Sequence, residues 1–395
     1  MEIILSEPTI VAMGPCSETT GWGVYQFPYL WKLPDGRILY TFHNAADSVT
    51  TYGSEPVYRI SDDNGSTWHD IPAKEVSHLM GLALPNGDIL RFHNLPSIPV
   101  ENLSLPEPMG VSVKGFSAYD IRKIPNGTIQ KSWQFSRVSA DHPEGVTESA
   151  KLNWPHMFVS SAKGVVIQPI PAARMRLAPD GSLWMPHYAS IGIDPNNGEL
   201  VSRQMCNYLF RSTDNGHTWD LMSFLPYHPA SQREAHHEGY TENDITFAPD
   251  GSMIRLIRTH VNYSTQEFEP MLITRSTDGG HTWTEPAYFD FTGVWPCLQT
   301  LGCGVTLATY GRPGLFLRAT ADPACLKWED RIELIHSNCQ PDPPSCVLNR
   351  ATCSYTDMIP LDDYTVGLAY SDFTVKDENG VPRKTMMFRT ITVEP

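Results

Sequence analysis

Short runs of alternating apolar and polar residues, separated by turn sequences, recur along this chain. In the clearest case, segment 242–260, one apolar run leads into Pro249-Asp250-Gly251 and a second run leads away. Proline presets φ for a turn, and glycine accepts a positive φ without steric cost. The pattern predicts a β-hairpin whose open ends bring Glu242 beside Arg258 and His260.

The same hairpin pattern occurs five more times, so the chain predicts six hairpins. The 33 prolines and 28 glycines indicate many turns, and no long apolar stripe of helical period is present. This combination favours an all-β fold. The other five turns lie at Pro34-Asp35-Gly36, Pro85-Asn86-Gly87, Pro179-Asp180-Gly181, Gly302–Gly304 and Asp362-Asp363.

A second repeat, S-x-D-x-G-x-T-W, is interleaved with the hairpins and follows an apolar run each time. Its aspartate can accept hydrogen bonds from its own turn, its glycine can take an unusual φ, and its tryptophan can pack under a sheet. Three copies in one chain are a strong signal of repeated structure. The copies lie at residues 61–68, 212–219 and 276–283.

Charge and composition exclude several classes of function. The formal net charge of −15 argues against nucleic-acid binding, which needs a basic surface. No stretch approaches the roughly 18 apolar residues of a membrane helix. The first residues lack the basic and apolar regions of a signal peptide, so we expect a strand there and a cytoplasmic protein, or a secreted one if a leader has been removed. The eight cysteines, including Cys339, Cys346 and Cys353 at seven-residue spacing, favour reduced structural thiols over a metal cluster, because Cys-x2-Cys pairs are absent.

The S-x-D-x-G-x-T-W repeat resembles the Asp-box of the sialidase (neuraminidase) superfamily. The resemblance implies a six-bladed β-propeller of four-stranded antiparallel blades, with residues 1–395 as one domain. It also implies that the N-terminal strand closes the ring with the last blade. Residues 96–113 and 140–153 are then insertions, and the Asp-boxes are peripheral turns without a catalytic role.

In such a ring the open ends of all hairpins face one funnel, because their turns point to the opposite side. This geometry gathers a set of polar and aromatic candidates for substrate contact or catalysis. They are Gln26, His43, Asp47, His78, His93, Arg174, His187, Glu242, Arg258, His260, Trp295, Arg312 and Tyr355.

The family resemblance assigns roles to some of these residues. Sialidases use a tyrosine nucleophile activated by a glutamate, and Tyr355 and Glu242 match those positions. Arg258 and Arg312 match two arginines that clamp the substrate carboxylate, and Asp47 resembles the acid/base by position. Physical chemistry supports these roles. A phenol with pKa of about 10 needs a base to take its proton before it can act as a nucleophile, and a guanidinium can bind a carboxylate through two hydrogen bonds.

One departure from the family concerns the first blade. The family motif F/Y-R-I-P supplies a third clamp arginine, whereas this chain has Gln26 within the segment 25–28. Loss of one charge-assisted contact of about 1.5–3 kcal/mol would weaken carboxylate binding at least tenfold. Either Arg174 or a histidine rebuilds the clamp, or the substrate differs from an ordinary sialoside.

The second departure is the number of histidines. His43, His93, His187 and His260 each follow the second strand of a hairpin, and His237 shortly precedes Glu242. Structural hydrogen bonding, contacts to the sugar and a metal cluster all remain open for them. A funnel of this kind resembles that of sialidase-like lyases, in which a histidine or tyrosine abstracts the proton next to a uronate carboxylate.

These observations predict an exo-glycoside hydrolase that releases a terminal, acidic sugar from a glycan without a cofactor. In this hypothesis Tyr355 attacks the anomeric carbon, Glu242 takes its proton, and Asp47 or His43 protonates the leaving oxygen. The alternatives are a polysaccharide lyase and a non-catalytic carbohydrate-binding propeller. Purely structural roles also stay open for the single residues: a salt bridge for Glu242, core packing for Tyr355, and packing or sugar stacking for Trp295. Arg312 could equally cap backbone carbonyls.

Overall fold

A computed structural model shows an all-β protein, as predicted, with 47% of residues in strands and 4% in helices. Two of the sequence candidates and three cysteines lie outside the residues that the structure describes: His237, His260, Cys16, Cys339 and Cys346. The five described cysteines are free thiols. The described residues are 1–15, 22–49, 51, 54–171, 174–228, 238–259, 261–262, 267–268, 270–337, 340–341, 344–345 and 351–394.

All six predicted hairpins are confirmed as adjacent antiparallel strands, and each lies in a different sheet of the described residues. We number these sheets I to VI in chain order. Sheet I contains Val24–Lys32, Ile38–Asn44, Val57–Ser61 and His69–Asp70; sheet II contains Leu82–Ala83, Ile89–Phe92, Gln134–Val138 and Val146–Ser149; sheet III contains Arg176–Leu177, Leu183–Ala189, Cys206–Ser212, Thr218–Leu225 and the parallel strand Lys151–Asn153.

Sheets IV to VI follow the same antiparallel order. The N-terminal residues form two strands, and both pair with the strand that ends the chain, which confirms the predicted pairing of the N-terminus. Sheet IV contains Asn243–Phe247, Met253–Ile257, Met271–Ser276 and Ala287–Asp290; sheet V contains Val294–Thr300, Thr306–Gly311, Leu315–Thr320 and Ile332–Ile335; sheet VI contains Asp357–Pro360, Thr365–Asp372, Thr385–Glu394, Glu2–Leu5 and Thr9–Met13.

The segments that we expected to be insertions are ordered into strands. Residues 146–149 and 151–153 complete sheets II and III, while parts of 96–113 join a seventh sheet, which we call the extra sheet. Its short strands carry little periodic signal, so the sequence pattern did not reveal them. The extra sheet contains, in spatial order, Gly110–Val111, Ser117–Asp120, Phe158–Ala162, Val165–Ile167 and Ile98–Pro99.

The remaining elements are small. None of the helices in the described part of the chain has the length and apolar character needed to span a bilayer. The helices are Ala73–Val76 (α) and Ser77–Leu79, Val100–Asn102 and Ile121–Lys123 (3-10), and the two-stranded ribbons pair Gly192–Ile193 with Leu200–Ser202, Val261–Asn262 with Glu267–Phe268, and Gln340–Pro341 with Pro344–Ser345.

Sheets II to VI pack against one another in chain order through buried apolar clusters, and sheet VI packs against sheet I in the same way. Sheet I packs against the helical segment before sheet II, where Leu33 and Ile60 share a cluster with Val76 and Met80. Burying one such side chain stabilises the fold by roughly 1.5–3 kcal/mol. The shared clusters contain Leu90 and Trp219 (II–III), Trp184 and Ile245 (III–IV), Leu256 and Leu298 (IV–V), Leu317 and Leu368 (V–VI), and Tyr40 and Phe388 (VI–I).

The S-x-D-x-G-x-T-W segments form the predicted turns. In the first, Asp63 Oδ1 accepts a hydrogen bond from the Thr67 amide at 2.8 Å, and Ser61 Oγ accepts one from the Gly65 amide at 2.8 Å. The second and third copies repeat both bonds. Trp219, from the second copy, is fully buried between sheets II and III. The glycines of the three turns lie against the preceding sheet, so these turns link sheets I, III and IV to sheets VI, II and III.

Candidate functional site

The hairpin of sheet IV places Glu242 beside Arg258, as the sequence predicts. The Arg258 amide donates to the Glu242 carbonyl at 2.8 Å, and the Thr241 amide donates back to the Arg258 carbonyl at 2.9 Å. The two side chains form an ion pair, with Arg258 Nη1 at 2.9 Å from Glu242 Oε1. Glu242 is buried, so this pair lies in a medium where its attraction is stronger than in water.

Tyr355 reaches the same carboxylate from the start of the sheet VI hairpin. Its hydroxyl donates to Glu242 Oε1 at 2.5 Å, while the Trp295 amide donates to Oε2 at 2.9 Å. Burial, and then the charge of Glu242, raise the pKa of Tyr355 well above its ordinary value. The phenol is therefore protonated at neutral pH and hydrogen-bonded to a carboxylate that can accept its proton.

Aromatic rings and one guanidinium surround Tyr355. Phe27 packs edge-on at 4.7 Å between ring centroids, and Trp295 lies at 5.1 Å. The guanidinium of Arg312 is stacked between two rings, 5.5 Å from Tyr355 and 4.6 Å from Trp22. Cation–π contacts of this kind hold an arginine in place while leaving part of its donor edge for a ligand.

The backbone around Tyr355 adopts unusual conformations. Side-chain-bearing residues seldom take a positive φ, and each instance costs on the order of 1–3 kcal/mol. Such strain persists where the surrounding structure enforces it, and it concentrates at functional sites. Five of the nine non-glycine positive-φ residues in the described chain lie here: Tyr25, Phe27, Trp295, Arg312 and Ser354.

His43 and Asp47 lie on the sheet I side of Tyr355. The His43 ring packs edge-on against Phe27 at 5.3 Å between ring centroids. Asp47 follows in the next loop, and its own amide donates to the Trp22 carbonyl. Both side chains reach solvent. Loss of hydration among surrounding protein atoms lowers the pKa of His43, and the charge of Asp47 opposes that change. A side chain that reaches solvent but has lost part of its hydration, such as His43, is expected where the protein surface is concave.

Arg174 lies beneath this cluster and is bound to protein on every side. Its Nε donates to Asp357 Oδ1 at 2.8 Å, Nη1 donates to the Pro296 carbonyl at 3.0 Å, and Nη2 donates to the Thr356 carbonyl. Its guanidinium also stacks on Trp295 at 4.9 Å. These three bonds, and a side chain that is only 10% exposed, indicate an anchoring role, while substrate binding by Arg174 stays a prediction.

Gln26 also differs from its expected place in a substrate clamp. Its side chain is fully buried, and its Oε1 accepts a hydrogen bond from the Gly23 amide. A side chain without solvent exposure cannot line an open pocket. Gln26 therefore shapes the strand that carries Phe27.

Two of the candidate histidines lie away from Tyr355. His187 stands in the middle of its strand and faces the core, within 5.9 Å of Trp133 and 5.7 Å of Trp154, and burial lowers its pKa to about 3. His93 Nδ1 lies 3.4 Å from Ser136 Oγ of the same sheet. Strand position explains His187, because a residue in the middle of a strand projects from the face of its sheet.

The sequence pattern did not predict the second layer of the site, which ties five sheets together. Arg176 binds Asp244 with two nitrogens, and Asp244 also accepts from the Leu298 amide at 2.8 Å. Asp357, which binds Arg174, accepts from the Leu30 amide at 2.9 Å. Each aspartate lies two residues after a site residue, Glu242 or Tyr355, and i and i+2 share one side of a strand. The two-residue spacing could therefore have predicted Asp244 and Asp357 from the sequence.

Comparisons with known proteins give the fold. No family model matches the chain, and no characterised protein matches by sequence. A Dyadobacter fermentans protein of unknown function matches in structure with TM-score 0.64 and 18% identity, covering 99% of each chain. A Penicillium chrysogenum alpha-L-arabinanase, solved with arabinobiose, matches with TM-score 0.52 and 11% identity over 98% of each chain.

Two further sets of structures bear on the comparison. A Fusarium graminearum alpha-L-arabinofuranosidase matches with TM-score 0.50 and 10% identity over 97% of each chain. Sialidases also match, for example at a TM-score of 0.49, which is too low to carry an argument about this chain. At 10–18% identity, these similarities concern the fold alone.

Proposed function

We propose that sheets I to VI are the six blades of one sialidase-like propeller formed by residues 1–395. Support comes from the packing of sheets II to VI against one another in chain order and of sheet VI against sheet I. The pairing of the N-terminal strands with Thr385–Glu394 joins the two chain ends within one sheet. The S-x-D-x-G-x-T-W turns then stand at the rim as Asp-boxes.

We propose that the protein is an exo-acting glycoside hydrolase with its active site at Tyr355. The observation that carries this proposal is the 2.5 Å hydrogen bond from the Tyr355 hydroxyl to Glu242, beside the aromatic rings of Phe27 and Trp295. Aromatic faces are suited to sugar rings, and a carboxylate-bound phenol is suited to nucleophilic attack. Structural neighbours that are glycoside hydrolases support the same reaction class.

The proposed reaction has two steps. Tyr355 Oη attacks the anomeric carbon as its proton passes to Glu242, and the glycosidic oxygen leaves with a proton from Asp47 or His43. Water then attacks the glycosyl–tyrosine intermediate, the proton returns to Asp47 or His43, and Tyr355 recovers its proton from Glu242. Arg258 pairs with Glu242 at 2.9 Å and holds its carboxylate beside the Tyr355 hydroxyl.

The first candidate substrate is a terminal acidic sugar. Arg312 stands against the Tyr355 ring, and its guanidinium donates one bond, of 3.2 Å, to the Cys353 carbonyl. Its remaining donors are suited to a carboxylate, and Arg258 lies on the other side of Tyr355. This candidate follows the family resemblance.

A neutral terminal sugar, such as an arabinofuranosyl unit, is the second candidate. Gln26 is neutral and buried, Arg174 is bound to protein, and Arg258 already pairs with Glu242. These contacts reduce the cationic groups available to a carboxylate. The Penicillium chrysogenum arabinanase was solved with the neutral disaccharide arabinobiose.

The experiment is a hydrolysis panel of aryl glycosides and acidic or neutral oligosaccharides, run with the wild type, Tyr355→Phe and Tyr364→Phe. Tyr364 is half exposed and serves as the matched control. We expect free sugar from the wild type and Tyr364→Phe, and nearly none from Tyr355→Phe; the substrate cleaved identifies the sugar class. Unsaturated product would indicate the lyase alternative, in which His43 is the histidine nearest Tyr355 among those described. Binding without turnover would indicate the non-catalytic alternative, and full activity of Tyr355→Phe would contradict the proposal.

A further inference from the structure

The extra sheet reaches the candidate site through one tight turn. Residues 112–116 fold back on themselves, with the Ser112 amide bound to the Phe116 carbonyl at 2.8 Å and the Gly115 amide bound to the Ser112 carbonyl at 2.9 Å. Lys114 stands at the tip of this turn. Its ammonium nitrogen lies 2.8 Å from Oε1 of Glu238, a residue that precedes the first strand of sheet IV.

The turn is fixed to the segment that leads into the third strand of sheet III. The Val113 amide donates to the Arg203 carbonyl at 3.0 Å, and Arg203 Nε donates to the Val111 carbonyl at 2.8 Å. These reciprocal bonds hold both sides of the Lys114 turn. The position of Lys114 is therefore set by sheet III as well as by its own sheet.

Glu238 is fixed to the same segment, two residues further on. The Met205 amide donates to the Glu238 carbonyl at 2.7 Å, and the Tyr240 amide donates to the Met205 carbonyl at 2.9 Å. Gly239 lies between these bonds with φ +97, and a Cβ there would stand 2.5 Å from the Met205 carbonyl oxygen. Only glycine permits this approach. One short segment thus positions both members of the Lys114–Glu238 pair.

The pair continues inward as a row of alternating charges. Glu238 Oε2 lies 3.7 Å from Arg258 Nη2, and Arg258 Nη1 lies 2.9 Å from Glu242 Oε1, which accepts the Tyr355 hydroxyl. Side-chain exposure falls along the row, from 40% at Lys114 through 22% and 15% to 8% at Glu242. Charge interactions strengthen as water is excluded, so the inner pairs feel changes at the outer end.

We propose that Lys114 and Glu238 are positioning residues of the candidate active site: they hold Arg258 against Glu242, and through them the extra sheet acts on the reaction. This inference rests on the proposed function. Glu238 attracts the Nη2 side of the Arg258 guanidinium, and the charge of Lys114 offsets part of that attraction. The difference between these two interactions determines how tightly Arg258 binds Glu242. Neither residue touches the Tyr355 hydroxyl.

The charges around the row determine the direction of each expected effect. Arg258 is faced by Glu242, Tyr355 and Glu238, and the guanidinium of Arg312 stands against Tyr355 from the opposite side. Removing the positive charge of Lys114 strengthens the attraction of Glu238 for Arg258, which weakens the pairing of Arg258 with Glu242. Removing the negative charge of Glu238 has the opposite effect.

The first test is the pH dependence of kcat/KM for the glycoside that the wild type hydrolyses. The acid limb reports the group that must be deprotonated in the free enzyme. We expect Lys114→Met to move this limb upward by about 0.3–1 pH unit and Glu238→Gln to move it downward by a similar amount. The double variant should return close to the wild type, and Lys114→Arg should restore the limb. Lys123→Met, at an exposed lysine that follows the same sheet, is the control.

A second measurement does not depend on activity. Thermal unfolding midpoints are compared for Lys114→Met, Glu242→Gln and the double variant. We expect the two shifts to be non-additive by about 1 °C or more, and to become additive when Glu238 is replaced by Gln. If no glycoside is hydrolysed, the proposed function fails and this cycle alone decides the inference. Additive shifts, or unmoved acid limbs in an active enzyme, would overturn the inference while the proposed function stands.

Discussion

The rim turns and the Tyr355 site are built by contacts of very different range. In the S-x-D-x-G-x-T-W turns, the bonds that define the turn join residues two to four positions apart, as between Asp63 and Thr67. At the site, Tyr355 and Glu242 are 113 positions apart, and Arg174 and Asp357 are 183 apart. The turns can form as soon as their own segment is made, whereas the site exists only when several sheets are assembled.

This difference explains why one residue type has different roles in the two regions. An aspartate in a rim turn satisfies its own backbone amides, so its sequence neighbours determine its role. Two arginines, Arg174 and Arg258, both stand at the open ends of their hairpins but end in different layers. One is bound to three protein acceptors beneath the pocket, while the other pairs with Glu242 inside it. The assembly of the sheets decides which arginine lies in which layer, and the pattern of apolar and polar residues does not encode that assembly.

The largest expected effect is at the site. Glu242→Gln removes the base that takes the Tyr355 proton, so we expect kcat to fall about 10²–10⁴-fold. Because the two residues act as one unit, adding Tyr355→Phe should cost little more. Steady-state kinetics on the cleaved glycoside measure both. Glu285→Gln, at an exposed glutamate, should match the wild type; additive losses in the double variant would contradict a shared step.

The next effect concerns the layer beneath the site. Asp357→Asn removes the charge that compensates the buried Arg174, and breaking a buried pair in this way costs about 3–5 kcal/mol in the free energy of unfolding. Urea unfolding followed by tryptophan fluorescence measures the change. Asp330→Asn, at an exposed position, is the control. An unchanged midpoint for Asp357→Asn would mean that the long-range layer contributes little to the fold.

Two glycine variants, one in a rim turn and one in the hairpin turn of sheet IV, separate strain from crowding. Gly216→Ala places a Cβ 2.5 Å from Leu90 Cδ2 at a φ of +90, whereas Gly251→Ala has a φ of +86 with no atom within 4 Å. Both carry the cost of positive φ, about 1 kcal/mol, and Gly216→Ala adds about 1–3 kcal/mol of crowding. Urea unfolding should show the larger loss at Gly216, with activity per folded molecule unchanged. Equal losses would contradict the close approach between sheets II and III.

The smallest effect is a pH dependence of the rim turns. Hydrogen bonds, chiefly from Thr67 and Thr282, lower the pKa of Asp63 and Asp278 to about 2. Since the unfolded value is about 3.9, their contribution to stability is complete above that pH and is lost as the pH falls through about 2. The difference in urea midpoint between the wild type and Asp278→Asn should therefore shrink between pH 4 and pH 2. A constant difference would show that the charge of Asp278 plays no part.

Much of the fold was predictable from sequence because its signals are local. The six hairpins, the rim turns and the pairing of the N-terminal strands with the last strand follow from turn residues and alternating runs. The extra sheet was not predictable, because strands such as Gly110–Val111 are two residues long and gain their stability from neighbours far along the chain.

The candidate site was predictable in part. Hairpin geometry brought Glu242, Arg258 and Tyr355 to one place, since each stands at a strand opening. It misplaced His187, which lies within its strand and faces the core, and it assigned Arg174 to the pocket instead of the layer below. Lys114 and Glu238 carry no signal in the pattern, because a turn of the extra sheet and segment 203–205 bring them together.

The most direct test of the account is covalent trapping of the nucleophile. The enzyme is treated with the activated 2-deoxy-2-fluoro analogue of the sugar that it cleaves, digested, and analysed by peptide mass spectrometry. The account predicts one glycosyl adduct, located on Tyr355 and absent from Tyr355→Phe. An adduct on a carboxylate such as Glu242 or Asp47 would contradict the tyrosine mechanism, as would a product of inverted configuration.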